Sequence, residues 1–229
     1  EAFVKQEVPQ LSNTYNIIGA SAYSRRARSD RNEIKRLMQE AFGFHLNACW
    51  LLDTSIEELQ HTAKAQVNLC LRPEALPVCQ WMQEHLGIPF VEGTPYGYAG
   101  TQSWLRAIEQ TLDLPVASSL ARELAEKQRH VSSMKAMSFM RKERQGKAVL
   151  FGEYALIQGA GNFLEECGIP VSHRILTQSP RVISELPENI TYLESEKERL
   201  DIVRGLQNTL VLADDVMLHH CAPDNHKVR

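Results

Sequence analysis

The chain has 229 residues, of which 43% are apolar and 23% charged, and its formal net charge is −3. Such a chain can form a hydrophobic core without disulfides, and its small net charge gives no support to binding of nucleic acid or anionic lipid. The five cysteines form no CxxC pair, no apolar stretch is long enough to span a membrane, and residues 1–5 lack the layout of a signal peptide. We therefore expect a cytoplasmic globular protein that binds neither nucleic acid nor membrane.

Short apolar runs alternate with helical patterns over the first half of the chain. Strands are predicted at Tyr15–Ala20, Leu46–Leu52, Val67–Leu71 and Ile88–Val91. The helix after the first strand ends at Gly43, Pro73 fits the first position of a later helix, and Thr101–Leu112 has the pattern of another. Strands that alternate with helices predict a doubly wound parallel sheet, and we place this domain at residues 12–113.

Residues 114–145 interrupt this alternation. Apart from Pro115, they contain no glycine or proline. This predicts a long helix linking two domains. Its methionines, among them Met134, Met137 and Met140, are more typical of a packing face than of a set of metal ligands.

The alternation then returns in residues 146–229, which predict a second parallel α/β domain. Strands are predicted at Lys147–Gly152, Ile169–Leu176, Thr191–Leu193 and Val216–Leu218, and helices at Ala155–Cys167 and Glu196–Gly205. A complete domain of this kind usually adds a further helix and strand, so we expect this domain to be truncated and the chain to be a fragment of a longer protein. The predicted fold is α/β, with two Rossmann-like parallel-sheet domains joined by a long helix and a ligand cleft between them.

Ligands of open parallel sheets bind outside the carboxyl ends of the strands. The loops predicted at such ends are Ser21–Arg28, Cys70–Arg72, Gly93–Gly97, Gly152–Tyr154 and His219–His226. None of the common local fingerprints occurs in them, because the sequence has no G-x-G-x-x-G at a strand-to-helix turn, no phosphate-binding G-x-x-x-x-G-K-[ST] and no G-x-S-x-G elbow. Nucleotide-binding enzymes and hydrolases of those types are therefore not indicated.

Four side chains at these ends have two possible roles. Cys70 could ligate a metal cluster or fill the core as a small apolar residue, and Arg72 could hold an anion or be an ordinary exposed charge. His219 and His220 lie in the densest set of soft ligands, with Cys221 and His226 nearby. Adjacent side chains of an extended segment point in opposite directions, so His219 and His220 cannot easily share one metal ion. His220 could share one with Cys221 or His226 if the loop folds back, although the spacing matches no standard zinc module.

Several segments resemble nitrogenase component 1 and its relatives, in the same order as in that family. The matching segments are Tyr15–Ala20, Val67–Glu74, Trp81–Glu92, Thr94–Ile108, Gly146–Gly152 and Phe163–Ile169. They resemble, in turn, the "IIG" strand, the "LN(L/I)V" strand, the "EE(K/R)(F/Y)GIP(Y/W)" segment, the "P-x-G-x-x-x-T-x-x-(F/L)-L-x-x-I" run, the "GK(R/T)V" strand and the "xLxELGM" helix end. The resemblance covers about residues 13–229.

The resemblance implies a subunit of three α/β domains, of which this chain is similar to the second and most of the third. The first domain, which in the family carries the cysteines of an iron–sulfur cluster, has no counterpart here, so we expect no cluster in this fragment. In the nitrogenase catalytic subunit a cysteine after the matching strand holds the metallocofactor, and the alignment places Arg72 rather than Cys70 at that position. Arg72 therefore favours a member of the family that does not fix nitrogen.

The implied cofactor-binding residues follow from the matching loops together with Cys70, Arg72 and His220. They are Ser21, Cys70, Arg72, Thr94, Tyr96, Gly97, Gly152, Glu153, Tyr154, His219 and His220. No residue of the chain is assigned a catalytic or metal-ligating role. A tetrapyrrole or a metallocofactor is the ligand that the resemblance implies, with an anionic group held by Arg72.

The implied function is that of a nitrogenase-like reductase subunit, in an oligomer with a homologous component 1 subunit. In such systems an ATP-dependent iron–sulfur protein donates the electrons, and the bound substrate or cofactor is reduced or matured. Two other functions fit the same pattern of domains: a two-lobed ligand-binding protein without catalysis, and a non-catalytic scaffold subunit. The fragment alone is expected to be inactive.

Overall fold

The computed structural model describes residues 9–228 except 21, 23–25, 141–145, 182 and 184, with only the backbone at 132 and 134–140. The described chain divides into two compact units. The first comprises residues up to 95 together with 101–125, and the second comprises 96–100 together with the residues from 126 onward. The side chains of the predicted methionine face, Met134, Met137 and Met140, lie outside the described part.

The first unit contains a parallel sheet with helices in the connections. Its strands are β1 (Thr14–Ile18), β2 (His45–Cys49), β3 (Val67–Cys70) and β4 (Phe90–Glu92). Its helices are α1 (Ala27–Phe42), α2 (Ile56–Gln60) and α3 (Leu76–Leu86), and it shares α4 (Gly97–Leu112) and α5 (Ser118–Met140) with the second unit. In the described residues the strand order is β2-β1-β3-β4 and every pairing is parallel, as the alternating pattern predicts.

Local signals in the sequence account for most boundaries in this unit. Gly43 ends α1 in the left-handed conformation, with φ +69°. Pro73 begins a short 3₁₀ turn before α3 rather than the α-helix itself. Helix α4 starts at Gly97, earlier than the predicted Thr101, and the Ala99 N–H donates to the Glu166 carboxylate.

Three asparagines lie side by side across the first sheet and bond to one another. Asn47 of β2 donates through Nδ2 to Asn16 Oδ1 (2.8 Å), and Asn16 of β1 donates through Nδ2 to Asn68 Oδ1 of β3 (2.7 Å). Asn16 Nδ2 also donates to the carbonyl oxygen of Thr62 (2.9 Å). Asn16 and Asn68 are completely buried. Because a buried amide without a partner is costly, these bonds fix the alignment of the three strands.

A carboxylate on the loop after β2 joins that loop to α1. Asp53 accepts a bidentate pair of bonds from Arg28, through Nε (3.0 Å) and Nη2 (2.8 Å), and a third bond from Arg31 (3.2 Å). The hydrogen bonds from Arg28 lower the pKa of the Asp53 carboxyl below its usual value. Asp53 has a left-handed backbone, with φ +54°.

The pH dependence of stability tests this ion-paired cluster. The lowered pKa of Asp53 in the folded state means that the ion pairs stabilise the first unit above the unfolded pKa of about 3.9, and that this stabilisation is lost as the pH falls through the folded value. Asp53→Asn keeps a residue that accepts the left-handed backbone, so we expect the variant to lose less stability than the parent between about pH 5 and pH 2. Urea midpoints followed by tryptophan fluorescence measure this, since Trp50, Trp81 and Trp104 all lie in the first unit.

Asp113→Asn is the matched control for that measurement. Asp113 is also left-handed, with φ +52°, and within the described part of the chain no ion pair involves it. Its variant should follow the parent at every pH. Equal acid sensitivity of Asp53→Asn and the parent would contradict the role assigned to Asp53.

The second unit contains a five-stranded parallel sheet within the described residues. Its strands are β5 (Ala148–Gly152), β6 (Val171–Leu176), β7 (Ile190–Tyr192), β8 (Leu210–Leu212) and β9 (His226–Val228), and its helices are α6 (Tyr154–Glu166), α7 (Glu196–Gly205) and α8 (Asp215–His219). The order is β7-β6-β5-β8-β9. The prediction of two parallel α/β sheets is therefore confirmed.

The predicted strand at Val216–Leu218 is wrong. These residues lie in α8, which begins because the Asp214 side chain accepts a hydrogen bond from the Met217 N–H (2.9 Å). The apolar run that does pair with β5 is Leu210–Leu212, and β9 follows α8. The sheet therefore contains a pair of strands that the apolar pattern did not identify.

The segment Tyr96–Gly100 packs on α6 inside the second unit. A Cβ placed on Gly159 would lie 2.1 Å from Cδ2 of Tyr96, and one placed on Gly97 would lie 2.8 Å from Cδ2 of Phe163. Gly97 also has a left-handed backbone, with φ +65°. Both glycines are required for this close approach.

No helix in the described part of the chain is both long and apolar enough to cross a membrane.

Candidate functional site

The order in which strands are added to the first sheet reverses between β1 and β3. After β1 the chain adds β2 on one side, and β3 and β4 lie on the other side. The loops that leave the carboxyl ends of β1 and β3 therefore diverge at a topological switch point, which is where open parallel sheets bind ligands. Arg72 lies on the loop after β3. Ser21, predicted on the loop after β1, is outside the described residues.

The two loops are in direct contact where they leave β1 and β3. The Leu71 N–H donates to the Ile18 carbonyl oxygen (2.9 Å). Gly19 has φ +93°, and a Cβ added there would lie 3.2 Å from the backbone nitrogen of Arg72 and 3.1 Å from Cβ of Ala75. A side chain at position 19 would push the β3 loop away, so Gly19 sets the position of Arg72.

Three charged groups lie close together at this switch point. Burial raises the pKa of Asp30, in the first turn of α1, and the charges of Arg26 and Arg72 act on that pKa in the opposite direction. Two guanidinium groups are thus within electrostatic range of one carboxyl group. Their excess positive charge suits an anionic ligand group, which a guanidinium can bind through two parallel hydrogen bonds.

Sequence reasoning did not identify Arg26 and Asp30 as part of this site. Arg26 directly precedes α1, and Asp30 lies in its first turn. An acidic residue in the first turn of a helix is usually explained by the helix dipole alone. For Arg26 the available signal was its position on the loop selected as Ser21–Arg28; Asp30 lies two residues beyond that loop, in the first turn of α1.

The Cys70 side chain is directed into the core. It is 2% exposed and packs with Ile18, Ala75, Cys79 and Met82. Its thiol donates to the Arg72 carbonyl oxygen (3.4 Å). A hydrogen bond from the Cys79 thiol lowers the pKa of Cys70, and the same bond together with burial raises the pKa of Cys79.

The surroundings of Cys70 suit a core residue. Across the described residues, no three His, Cys, Asp or Glu side chains come together in a group able to hold a metal ion.

Thr94 joins the loop after β4 to the loop after β3. Its hydroxyl donates to the Leu71 carbonyl oxygen (2.9 Å), and the Gly93 N–H donates to the Cys70 carbonyl oxygen (2.9 Å). Thr94 therefore supports the segment that carries Arg72. Tyr96 and Gly97, predicted on the same loop, belong instead to the second unit.

The predicted residues Gly152, Glu153 and Tyr154 lie at the carboxyl end of β5. This end is the switch point of the second sheet, because β6 and β8 flank β5 on opposite sides. Gly152 accepts a hydrogen bond from the Thr177 N–H (3.0 Å) through its carbonyl oxygen. Glu153 precedes α6 in an extended conformation, and Tyr154 is the first helical residue.

The wrong strand prediction implied that His219 and His220 directly follow a strand. In the structure they do not. His219 is the last residue of α8 and His220 follows it. Their rings are edge to face, with centroids 5.6 Å apart. The carboxyl end of β8 is followed instead by Ala213 and Asp214, and Asp214 is engaged in starting α8.

Comparison with known families identifies the chain. The model of the nitrogenase component 1 type oxidoreductases matches residues 1–214. This chain belongs to that family. The resemblance drawn from the ordered sequence motifs is thereby confirmed.

Individual relatives agree with this assignment. The chain is 29% identical over 174 residues to a subunit of the light-independent protochlorophyllide reductase of Heliobacterium modesticaldum, covering 74% of this chain and 33% of the relative. It is 33% identical over 107 residues to the corresponding subunit from Halorhodospira halophila, covering 46% of this chain and 20% of the relative. The chain thus spans a third or less of the curated relatives that it matches.

Solved structures show the same fold. A structure of nitrogenase Cp1 at pH 6.5 superposes with a TM-score of 0.61 at 20% identity, covering 77% of this chain and 34% of that one. A second, of nitrogenase Cp1 at pH 5, gives a TM-score of 0.54 at 19% identity, covering 82% and 36%. At this level of identity the likeness concerns the fold alone.

Proposed function

We propose that this chain is part of a subunit of a nitrogenase-like reductase whose ligand is an anionic tetrapyrrole or metallocofactor. Membership of the component 1 family supports the reductase class. The names of the curated relatives, protochlorophyllide reductase subunits, support a tetrapyrrole as the ligand. The subunit would act in the cytoplasm with a homologous component 1 subunit, and an ATP-dependent iron–sulfur protein would supply the electrons.

The observation that carries this proposal is the position of Arg72. It leaves the carboxyl end of β3 at the switch point of the first sheet, held there by the contact with Gly19 and by the bond from Thr94 to Leu71. Arg26 adds a second positive charge nearby. We assign to Arg72 the binding and orientation of a carboxylate or other anionic group of the ligand.

The described residues do not fit an iron–sulfur cluster. Cys70 is the cysteine nearest to Arg72 in the sequence, and its thiol packs in the core and bonds to a backbone carbonyl oxygen. We therefore propose that a cluster in the whole protein is bound by residues outside this chain. No step of the reaction is assigned to Cys70.

Substitution of Arg72 tests the proposed role. In the whole protein, Arg72→Ala should weaken binding of protochlorophyllide by about tenfold, which corresponds to the loss of one charge-assisted contact, and Arg72→Lys should recover only part of the affinity. Quenching of tryptophan fluorescence, or the absorption shift of the pigment, measures the dissociation constant.

Arg122→Ala is the control, because Arg122 is an exposed arginine on α5 with no ion pair among the described residues. Unchanged affinity in Arg72→Ala would overturn the assignment of Arg72.

The reductase class has a separate test: the whole protein, supplied with ATP and the reducing iron–sulfur protein, should reduce the bound pigment only when ATP is present. Binding without any such reduction would favour a non-catalytic binding protein or scaffold.

A further inference from the structure

Two cysteines meet in the core of the first unit. Cys70 is the last residue of β3, and Cys79 is the fourth residue of α3. Both are free thiols, and a hydrogen bond from the Cys79 thiol to the Cys70 sulfur joins them. Their side chains are 2% and 0% exposed and belong to one buried cluster, whose other members are Ile18, Ala75, Met82 and Ile88. The fold therefore holds two reduced sulfur atoms in contact.

The shared hydrogen bond makes the two thiols chemically unequal. It lowers the pKa of Cys70 and, together with burial, raises the pKa of Cys79. Among the five cysteines, all of which lie within the described residues, Cys70 alone has a lowered pKa. A thiolate rather than a thiol attacks an oxidant. Cys70 is therefore the nucleophile of the pair, and Cys79 is the thiol that reacts after it.

The surroundings of the pair select a small, uncharged oxidant. The cluster around the two thiols is apolar, and Trp50 and Trp81 pack against it. The chain leaves the sheet directly after Cys70, and the next two residues, Leu71 and Arg72, are only half-buried. Hydrogen peroxide is uncharged and little larger than water, so a local opening at the end of β3 is enough to admit it.

We propose that Cys70 and Cys79 are a peroxide-sensitive pair that forms a reversible disulfide. First, the Cys70 thiolate attacks one oxygen atom of hydrogen peroxide, the O–O bond breaks, hydroxide leaves, and Cys70 becomes a sulfenic acid. The Cys79 sulfur then gives up its proton, attacks the Cys70 sulfur and displaces the hydroxyl group as water. In total the two thiols lose two electrons and two protons, and one peroxide molecule becomes two water molecules.

The disulfide would close a ring through the segment that carries Arg72. In the reduced state the Cys70 thiol donates to the Arg72 carbonyl oxygen (3.4 Å), and the disulfide has no proton for that bond. The Cys70 sulfur must also move toward Cys79, because the two sulfur atoms of a disulfide are about 2 Å apart. The oxidation state of the pair therefore acts on the backbone of Arg72. The site does not depend on the proposed reductase function, since its chemistry involves only the two thiols and peroxide.

Peptide mapping of the oxidised chain tests the proposal. Glu74 lies between the two cysteines, so cleavage after glutamate places them on separate peptides that only a disulfide holds together. The full chain is treated with hydrogen peroxide, alkylated and digested. We expect this linked pair to exceed every other cysteine-linked pair by at least about tenfold, and dithiothreitol to release it. The tryptophan emission should remain that of the folded chain, since Trp50 and Trp81 pack against the same cluster.

Serine variants separate the two roles. Cys79→Ser keeps a hydroxyl donor beside Cys70 but cannot form the disulfide, so Cys70 should accumulate as a sulfenic acid that dimedone traps. In Cys70→Ser, Cys79 should not react with dimedone. Cys221→Ser is the matched control, because Cys221 is also buried and its cluster contains no other cysteine. The linked pair should form in that variant as it does in the parent.

Three results would overturn the proposal. The first is the absence of the linked pair in the folded parent, which decides the question even where a variant does not fold. The second is equal dimedone labelling of Cys79 in Cys70→Ser and of Cys70 in Cys79→Ser. The third is a linked pair that forms only together with the tryptophan emission of the unfolded chain.

Discussion

Asn16→Ala should lower the free energy of unfolding of the first unit by about 2–4 kcal/mol. The substitution removes the central member of the asparagine row. It leaves Asn68 Oδ1 without its donor, whereas the Thr62 carbonyl oxygen loses one donor and keeps the Ala65 N–H (3.4 Å). Asn47 loses its bond to Asn16 but keeps one to the His61 carbonyl oxygen (3.1 Å). A buried polar group without a partner costs about 1–3 kcal/mol, and loss of the other hydrogen bonds of Asn16 adds about 1 kcal/mol. The loss is a substantial fraction of the total stability of a domain, about 5–15 kcal/mol.

Urea unfolding followed by tryptophan fluorescence measures this loss, since all three tryptophans report on the first unit. Asn32→Ala is the control: Asn32 is exposed on α1, and none of the described contacts involves it. If Asn16→Ala does not fold, Asn47→Ala tests the same row more gently, with an expected loss of about 1 kcal/mol. Losses equal to that of Asn32→Ala in both variants would show that the row does not stabilise the sheet.

Gly159→Ala should destabilise the second unit by about 2–3 kcal/mol. The new Cβ would lie 2.1 Å from Cδ2, 2.4 Å from Cγ and 2.8 Å from Cβ of Tyr96. Rotation of the Tyr96 ring cannot relieve a contact that includes its own Cβ. The backbone of the following residue, Gly97, is held against Phe163. The segment Tyr96–Gly100 must therefore move away from α6, and the packing between them is lost.

Hydrogen exchange of the β5 amides measures this effect, because β5 is the central, buried strand of the second sheet. Gly100→Ala is the matched control, since nothing lies within 4 Å of a Cβ at that position; it should be neutral or stabilising by about 0.5–1 kcal/mol because alanine favours the helix. In a Tyr96→Ala background the cost of Gly159→Ala should disappear. A cost that persists there would assign the effect to α6 itself and contradict the clash with Tyr96.

The sequence pattern correctly predicted strand β3, which Arg72 follows. The same kind of pattern wrongly predicted a strand at Val216–Leu218 near the C-terminus. Val67–Cys70 is a continuous apolar run with one buried asparagine, so the strand and the residue after it could be placed by pattern. Leu210–Leu212 is as apolar as Val216–Leu218, and periodicity over three residues does not distinguish a strand from a helix. The decisive difference is the Asp214 side chain, which caps α8.

The residues that surround each candidate side chain could not be predicted from the sequence pattern. Cys70 and Arg72 are two residues apart, yet the thiol packs in the core while the arginine lies within electrostatic range of Asp30. Which of them is available to the proposed ligand depends on how the chain leaves the strand. Arg26 and Asp30 join Arg72 because the start of α1 lies within electrostatic range of the loop after β3.

The sequence by itself determined the class of the fold and the family. Alternating apolar runs and helical faces specify parallel α/β sheets, since each element must bury one side, and the ordered motifs identify the component 1 family. The tertiary structure alone decided the alignment of Asn16 with Asn47 and Asn68 and the packing of Tyr96 against Gly159. These features join residues that are far apart in the chain, and hydrogen bonding and close packing between distant residues leave no periodic pattern in a sequence.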